Sequence, residues 1–273
     1  MQSSNLLAVD NANHPRTVGA REDMLDRWEA LTERWLAGED RLPEPFTSWW
    51  DSYRGGGEGQ PTRAAMAELY IGDWDAPKLV TLALNPGQAE LSFHGRDGYF
   101  ADQIRRLGSY QEWARSDPYA SKLWEAENRI NPLRNGRRPN PHRAKLGRFA
   151  HRWLGREPKG HEILQLELYP WHSTKVTGRI RPPLNVLSEF LWDPLAEVEI
   201  DPIWAFGSHF LRVAGDLGFV ELARWGGECF STAARAAAEF RLPLGQRLVV
   251  VWQLGYAGPP GDEDVRRLKA LLS

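Results

Sequence analysis

The residues best suited to chemistry stand where short apolar runs end. Asn85 follows the apolar run 78–84 directly, and Glu167 lies at the end of a second run, 163–168. An Asn side chain can donate and accept hydrogen bonds, whereas an ionised Glu only accepts and a protonated Glu can also donate. Both residue types therefore suit a site that orients water or reads the polar edge of a ligand.

Short apolar runs that alternate with helical patterns must position these side chains. Four such runs are present, at residues 78–84, 163–168, 203–206 and 248–252. Turn residues and then a helical pattern follow them, as at 209–217 and 262–272. This alternation predicts an α/β protein with a mostly parallel sheet that helices cover on both faces. Ligands of such sheets bind at the carboxyl ends of the strands.

The first 60 residues differ from the rest of the chain. Residues 1–20 are polar and aperiodic, and residues 21–37 carry apolar side chains at helical spacing until Pro43 and Pro45 end the pattern. We therefore expect a tail and helical extension at 1–60 that packs on one α/β domain at 61–273.

Composition limits the protein class. The chain of 273 residues has one cysteine, Cys229, which excludes an internal disulfide framework and a four-cysteine metal site. It shows neither a signal peptide nor a run of about 18 apolar residues. We expect a soluble, cytoplasmic monomer that does not bind membranes.

Several common catalytic motifs are absent from the sequence. There is no phosphate-binding G-x-x-x-x-G-K-[ST], no G-x-G-x-x-G after a strand, no H-E-x-x-H and no G-x-S-x-G. The seven histidines are scattered singly along the chain. We therefore expect neither a metal nor a cofactor.

A basic segment runs from residue 128 to 156. It contains eight arginines and one lysine but no acidic residue, although the whole chain has a net charge of −2. Residues 142–154 predict a helix with Arg143, Arg148 and Arg152 on the face that points away from the protein. The segment is either a solvated face or a phosphate-binding surface.

The strand ends resemble a known family. In chain order, the segments are Leu84-Asn85-Pro86-Gly87, Leu166-Glu167-Leu168-Tyr169-Pro170-Trp171, Ile203-Trp204-Ala205-Phe206-Gly207-Ser208 and Val249-Val250-Val251-Trp252. Together these segments resemble the uracil-DNA glycosylase superfamily, and most closely its mismatch-specific uracil/thymine branch, over residues 78–272. The resemblance implies a three-layer α/β/α fold around a mostly parallel four-stranded sheet, here with a helical N-terminal extension.

The resemblance also implies an activity. A member of this family is a monofunctional DNA glycosylase, which flips a base out of DNA and hydrolyses its N-glycosidic bond without a cofactor. Asn85 takes the catalytic, water-orienting role, and the backbone N–H groups of Gly87 and Gln88 face a base oxygen. An aromatic side chain from the following loop stacks on the base; Phe93 is favoured over Tyr99 and Phe100.

Glu167 departs from the family pattern in an informative way. It stands where an Asn commonly reads the base, and a carboxyl group suits an exocyclic amino group or a ring nitrogen better than it suits uracil. We therefore expect cytosine, a modified cytosine or another amino-bearing base as the substrate. If the alignment is shifted by two residues, Gln165 takes this position instead.

Further residues are expected to contact DNA through its phosphates or its base stack. The predicted phosphate contacts are Arg134, Arg137, Arg138, Arg143, Ser173, Lys175, Ser208 and His209, and the predicted wedge residues are Leu254 and Tyr256. The loop 253–260 lacks the His or Asn-Pro-Ser sequence that usually follows the fourth strand in the family.

Two other functions stay open at this stage. The altered loop fits an inactive nucleic-acid-binding protein of the same fold. If the basic segment is only a solvated face, a small-molecule or nucleotide-binding α/β protein is the third reading. Whether the DNA is single- or double-stranded, and whether the pathway is genome repair or defence against foreign DNA, is equally open.

Overall fold

A computed structural model of the chain describes residues 19–53, 60–119, 141–173, 180–254 and 258–273. The helices are α1 (Ala20–Leu36), α2 (Phe46–Trp50), α3 (Leu91–His94), α4 (Tyr99–Leu107), α5 (Tyr110–Arg115), α6 (Pro141–Leu154), α7 (Leu184–Leu187), α8 (Asp193–Leu195), α9 (His209–Asp216) and α10 (Asp262–Leu272). The strands are β1 (Tyr70–Ile71), β2 (Leu79–Ala83), β3 (Ile163–Glu167), β4 (Ile203–Phe206), β5 (Val220–Trp225), β6 (Arg235–Arg241) and β7 (Arg247–Gln253). Short 3₁₀ turns span Gly160–Glu162 and Gly227–Cys229, and a π-helical turn, Ser188–Trp192, joins α7 to α8.

The sheet has seven strands in the order β1-β3-β2-β4-β7-β6-β5. Its centre, β3-β2-β4-β7, is parallel and consists of the four predicted strands. The expectation of only four strands is wrong, because β1, β6 and β5 extend the sheet in antiparallel pairing. The chain is thus of the mixed α/β class with a parallel centre and antiparallel edges.

Side chains of the central strands alternate between two cores. Val80 and Leu82 of β2 belong to the larger core, whereas Leu79 belongs to the smaller one. Helix α6 packs Phe149 into the smaller core, and α10 packs Leu268 beside it. Most of the other helices contribute to the larger core, so helices cover both faces of the sheet.

The N-terminal helices share the larger core. Trp28 of α1 and Trp49 of α2 are fully buried, and their rings lie edge-on to Phe46 at 5.8 Å and to Trp171 at 5.9 Å. Burying one such side chain stabilises the fold by about 1.5–3 kcal/mol. The predicted helix at 21–37 is therefore present as α1, and it packs on the α/β body as expected.

Among the described residues, no helix combines the length and the apolar character that crossing a lipid bilayer requires.

Candidate functional site

The direction of chain winding changes beside β2. From β2 the chain crosses to β3 on one side, and β4 and β7 follow on the other side. Ligands of open α/β sheets bind at the carboxyl ends of the strands where this switch occurs. Asn85 follows β2 and Gly207 follows β4. Both residues therefore flank the crevice that the topology favours for a ligand.

The loop after β2 is tied to the loop after β3. Gly87 has a φ of 87°, a left-handed conformation that glycine adopts without steric cost. The Ser173 N–H donates to the Gly87 carbonyl at 2.9 Å, and Asn85 Nδ2 donates to Ser173 Oγ at 3.0 Å. Within the described part of the chain, Asn85 Oδ1 accepts no hydrogen bond. Ser173 thus fixes the amide group and leaves its acceptor oxygen available.

Glu167 lies at the carboxyl end of β3, the strand adjacent to β2. It is the last residue of β3, lies beside Ala83 of β2 in the parallel register, and is only 4% exposed. Gln165 Nε2 donates to its Oε1 at 2.5 Å. Its Oε2 is buried and has no hydrogen-bond partner among the described residues. One carboxyl oxygen is therefore unsatisfied at the edge where a ligand is expected.

The charge state of Glu167 follows from its surroundings. Burial raises the pKa of Glu167 to about 8, and the Glu68 carboxylate adds to the increase, while Gln165 and Arg143 oppose it. At neutral pH the side chain is therefore mainly a neutral acid. A neutral carboxyl group offers one O–H donor together with acceptor oxygens.

Arg143 of α6 hydrogen-bonds to a side chain at the carboxyl end of β3. It donates to Gln165 Oε1 at 2.9 Å and lies 3.6 Å from Asp117. The prediction that Arg143 points away from the protein is wrong, because its side chain is only 13% exposed. Its spacing of three residues from buried Leu146 explains this, since residues at i and i+3 share one helix face.

A second polar cluster lies beside the same loops; we call Glu68, His94, His172 and Tyr119 the Glu68 cluster. All four side chains are buried. Glu68 Oε1 is 3.0 Å from His172 Nε2 and 3.7 Å from His94 Nε2. The Tyr119 hydroxyl donates to the Glu68 carboxylate at 2.8 and 2.9 Å and is 3.0 Å from His94 Nε2. Every oxygen of Glu68 therefore has a partner.

Backbone contacts hold this cluster against the Asn85 loop. His172 Nδ1 is 3.2 Å from the carbonyl oxygen of Gly87. His94 Nδ1 lies within 3.0 Å of both the N–H and the carbonyl of Glu90. The Glu68 N–H donates to the Pro170 carbonyl at 2.7 Å. The cluster thus joins the segment before β1, the loop after β2 and the loop after β3.

The Glu68 cluster and Glu167 have opposite electrostatics. Burial disfavours the charge of Glu68, but the charge and hydrogen bonds of His172, with His94 and Tyr119, outweigh it and hold the pKa of that carboxyl below its usual value. Burial, together with His172, lowers the pKa of His94 to about 3, so its ring is neutral at physiological pH. Burial and the adjacent Glu68 raise the pKa of Tyr119 well above its usual value.

The predicted base-binding residues around Asn85 are placed as follows. Gly87 is half-buried and Gln88 is exposed in the loop after β2. Phe93 is buried, with its ring 6.1 Å from that of Tyr99 and 5.7 Å from that of Phe100. Tyr99, at the start of α4, is half-buried. Of the predicted stacking residues, Tyr99 is thus more accessible than Phe93.

The predicted DNA-contact residues differ in whether the structure describes them and in how exposed they are. Residues Arg134, Arg137, Arg138, Lys175 and Tyr256 lie outside the described residues. Ser208 is exposed and His209 is half-buried at the start of α9, and Leu254 is 92% exposed after β7. Ser173, for which the sequence predicts a phosphate contact, is 4% exposed, and its hydroxyl accepts a hydrogen bond from Asn85.

The sequence did not identify Glu68, His172 or Tyr119 as site residues. His94 was visible in the aromatic loop after Asn85, and His172 directly follows the Pro170-Trp171 pair. Neither histidine has another histidine or a cysteine within five residues of it in the sequence. Their rings nevertheless lie 4.3 Å apart between centroids, because the loops after β2 and β3 meet. Only the sheet topology reveals this cluster.

Comparisons of the chain with protein-family models, with curated proteins and with solved structures found no match.

Proposed function

We propose that this protein is a DNA glycosylase that acts on cytosine or, better, a modified cytosine. The observation that carries the proposal is the pairing of two groups at adjacent strand ends. Asn85 presents an amide oxygen and Glu167 presents an oxygen of a buried, neutral carboxyl group, and neither oxygen has a hydrogen-bond partner among the described residues. One suits a water molecule and the other suits the edge of a base.

The proposed role of Asn85 is to place the attacking water. Its Oδ1 accepts a hydrogen bond from the water, and Ser173 holds the amide in the required orientation. Asn is not a base, so the water attacks a sugar that has already gained oxocarbenium character. The reaction therefore depends on how well the protein stabilises the departing base.

The proposed role of Glu167 is to bind and protonate that base. Cytosine carries a ring acceptor, N3, next to an amino donor, N4, and a neutral carboxyl group presents the complementary donor and acceptor. Donation from Oε2 to N3 neutralises charge that builds on the leaving base. Uracil carries N3–H instead, so its ring has no N3 acceptor for this proton.

Cationic side chains near the sheet edge support DNA as the substrate. Lys145 and Arg148 of α6 line a cleft of about 370 Å³ beside the end of β7; Arg235 of β6 also lines it, but its guanidinium already pairs with Asp264. Phosphate contacts of this kind hold nucleic acid irrespective of sequence. Leu254 follows Gln253, which lines this cleft, and its side chain is exposed. We propose that Leu254 enters a base stack.

The test is base release from labelled oligonucleotides, single- and double-stranded, that carry uracil, deaminated purines or modified cytosines, with hot alkali to cleave abasic sites. We expect release from a modified cytosine, and Asn85→Ala should slow it by about 10²–10³-fold, the usual cost of losing one preorganised polar group. Asn185→Ala, at an exposed Asn on α7, is the matched control. Equal rates for Asn85→Ala and the wild-type protein would contradict the mechanism.

A DNA-binding protein without catalysis is the second candidate. The loop after β7 favours it, because the segment 253–260 contains no histidine. Tight, salt-dependent binding of modified DNA, with no base release from any member of the panel, would establish this function instead. Absence of both binding and release would favour a small-molecule ligand.

A further inference from the structure

The fold gathers two histidines and a carboxylate around one point beneath the Asn85 loop. Glu68, His94 and His172 each direct one ligand-type atom inward, and these atoms all lie within 4.8 Å of one another. Their burial excludes competing water. The expectation of no metal rested on the separation of the histidines in the sequence, and the fold removes that separation.

Two of the three distances between the ligand atoms are close to those around a small metal ion. Zinc bonds of about 2.0–2.1 Å at tetrahedral angles place neighbouring ligand atoms about 3.3 Å apart. Glu68 Oε1 is 3.0 Å from His172 Nε2 and 3.7 Å from His94 Nε2, values on either side of that spacing. Two imidazoles and one carboxylate form a donor set that zinc accepts readily.

The hydrogen bonds at the Nδ1 atoms of the two histidines also suit metal binding through Nε2. A histidine that binds a metal through Nε2 carries its proton on Nδ1 and donates it to a nearby acceptor. His172 Nδ1 faces the Gly87 carbonyl at 3.2 Å; His94 Nδ1 faces both the Glu90 carbonyl at 3.0 Å and the Glu90 N–H at 2.9 Å, so binding through Nε2 requires the His94 tautomer that donates to the carbonyl. Both rings are therefore oriented with Nε2 toward Glu68.

We propose that Glu68, His94 and His172 bind one Zn²⁺ ion, with the Tyr119 hydroxyl closing the fourth side. Tyr119 is 2.8 Å from Glu68 Oε1 and 3.0 Å from His94 Nε2. A site closed by four protein groups is structural rather than catalytic. The ion holds the loops that carry Gly87 and Ser173, and through them it positions Asn85. The proposal does not depend on the glycosylase activity.

The test measures metal in the full-length protein without DNA. Protein prepared with zinc should contain about one equivalent, and His172→Gln should reduce this to below about 0.1 equivalent. His151→Gln, at a histidine outside the cluster, should retain the wild-type zinc content. Removal of zinc by a chelator should lower the thermal midpoint, and added zinc should restore it.

Cobalt substitution covers the case in which His172→Gln does not fold. The wild-type protein with Co²⁺ should show the visible absorption typical of a four-coordinate ion. His172→Cys should add a near-ultraviolet thiolate-to-cobalt band, because the substituted residue is itself a ligand. A wild-type protein that binds no stoichiometric zinc or cobalt, with the same midpoint after refolding with and without zinc, would show that the cluster is only a hydrogen-bond network.

Discussion

Two buried carboxyl groups lie beside the same loops and have opposite characters. Glu68 is surrounded by two histidines and a tyrosine, and its pKa is lowered. Among the described residues Gln165 alone donates to the Glu167 carboxyl group, whose pKa is raised to about 8. Both side chains are nearly inaccessible. The difference lies in the number of partners, since burial alone favours the neutral acid in each case.

Glu68 and Glu167 represent two kinds of buried polar site. A buried carboxylate whose oxygens are all satisfied stabilises the loops around it, because its partners compensate the cost of desolvation. A buried acid with an unsatisfied oxygen lowers stability and is retained where a ligand supplies the missing partner. On this basis we propose that the Glu68 cluster is architectural and that Glu167 belongs to the proposed binding site.

The largest effect is expected on removing the charge of Glu68. Glu68→Gln leaves His172 next to a neutral amide in a buried site, and breaking such a buried pair costs about 3–5 kcal/mol. Urea denaturation measures this as a lower midpoint. Glu199→Gln, at an exposed glutamate, is the control and should stay within about 0.5 kcal/mol of the wild-type protein. A stable Glu68→Gln protein would remove the distinction between the two carboxyl groups.

Glu167→Gln should have the opposite effect, and its size should depend on pH. The folded protein holds the Glu167 proton up to a pKa of about 8, whereas the ordinary value is 4.5. The folded state therefore binds more protons between these values, and the wild-type protein loses stability as the pH rises through this window. Gln cannot ionise, so the variant avoids this loss.

The measurement is the difference in unfolding free energy between Glu167→Gln and the wild-type protein. The unfolding free energy of the variant should rise relative to that of the wild-type protein, by on the order of a few kcal/mol, between about pH 5 and pH 8. The groups that act on Glu167, namely Glu68, Gln165 and Arg143, are the same in both proteins. A difference that does not change with pH would mean that Glu167 is already ionised. In the excision assay, the variant should also show an altered base preference.

The sequence predicted the parallel centre of the fold but not its edges. The four central strands are continuous apolar runs because both faces of the sheet are buried there. Such runs can be recognised from the amino-acid sequence alone. Strand β5 is exposed at four of its six residues, and β6 begins with Arg and three alanines, which have low strand propensity. Their pairing depends on β7, so no local pattern reveals it.

The same contrast applies to the site. The positions of Asn85 and Glu167 at neighbouring strand ends were predictable, because each lies at the end of an apolar run and parallel strand ends meet at one edge. Glu68 lies in an irregular segment before β1, and its partners come from three other segments. The burial of Arg143 and Ser173 depends on packing against β3 and Asn85, so no local sequence pattern predicts it.

A smaller effect is expected at Ser173, which links the two regions. Ser173→Ala removes the hydrogen bond that orients Asn85. The loss of one such bond is worth about 0.5–1.5 kcal/mol, so kcat should fall up to about tenfold. KM should stay unchanged, because Ser173 is buried and is proposed to act only through Asn85. Ser116→Ala, at an exposed serine after α5, controls for the substitution itself. A change in KM alone would place Ser173 at the DNA interface, as the sequence suggested.

The smallest effect concerns the cationic cleft, which lies outside both carboxyl regions. Lys145 and Arg148 line it at the carboxyl end of β7. If both contact phosphates, the double Ala variant should weaken binding of all DNA sequences alike and reduce the salt slope by about 1.8, or 0.9 for each contact. Arg241→Ala is the control, because exposed Arg241 pairs with Arg247 at the opposite end of the sheet. Sequence-dependent weakening would instead assign these side chains to base contacts, and an unchanged slope would make the cleft a solvated face.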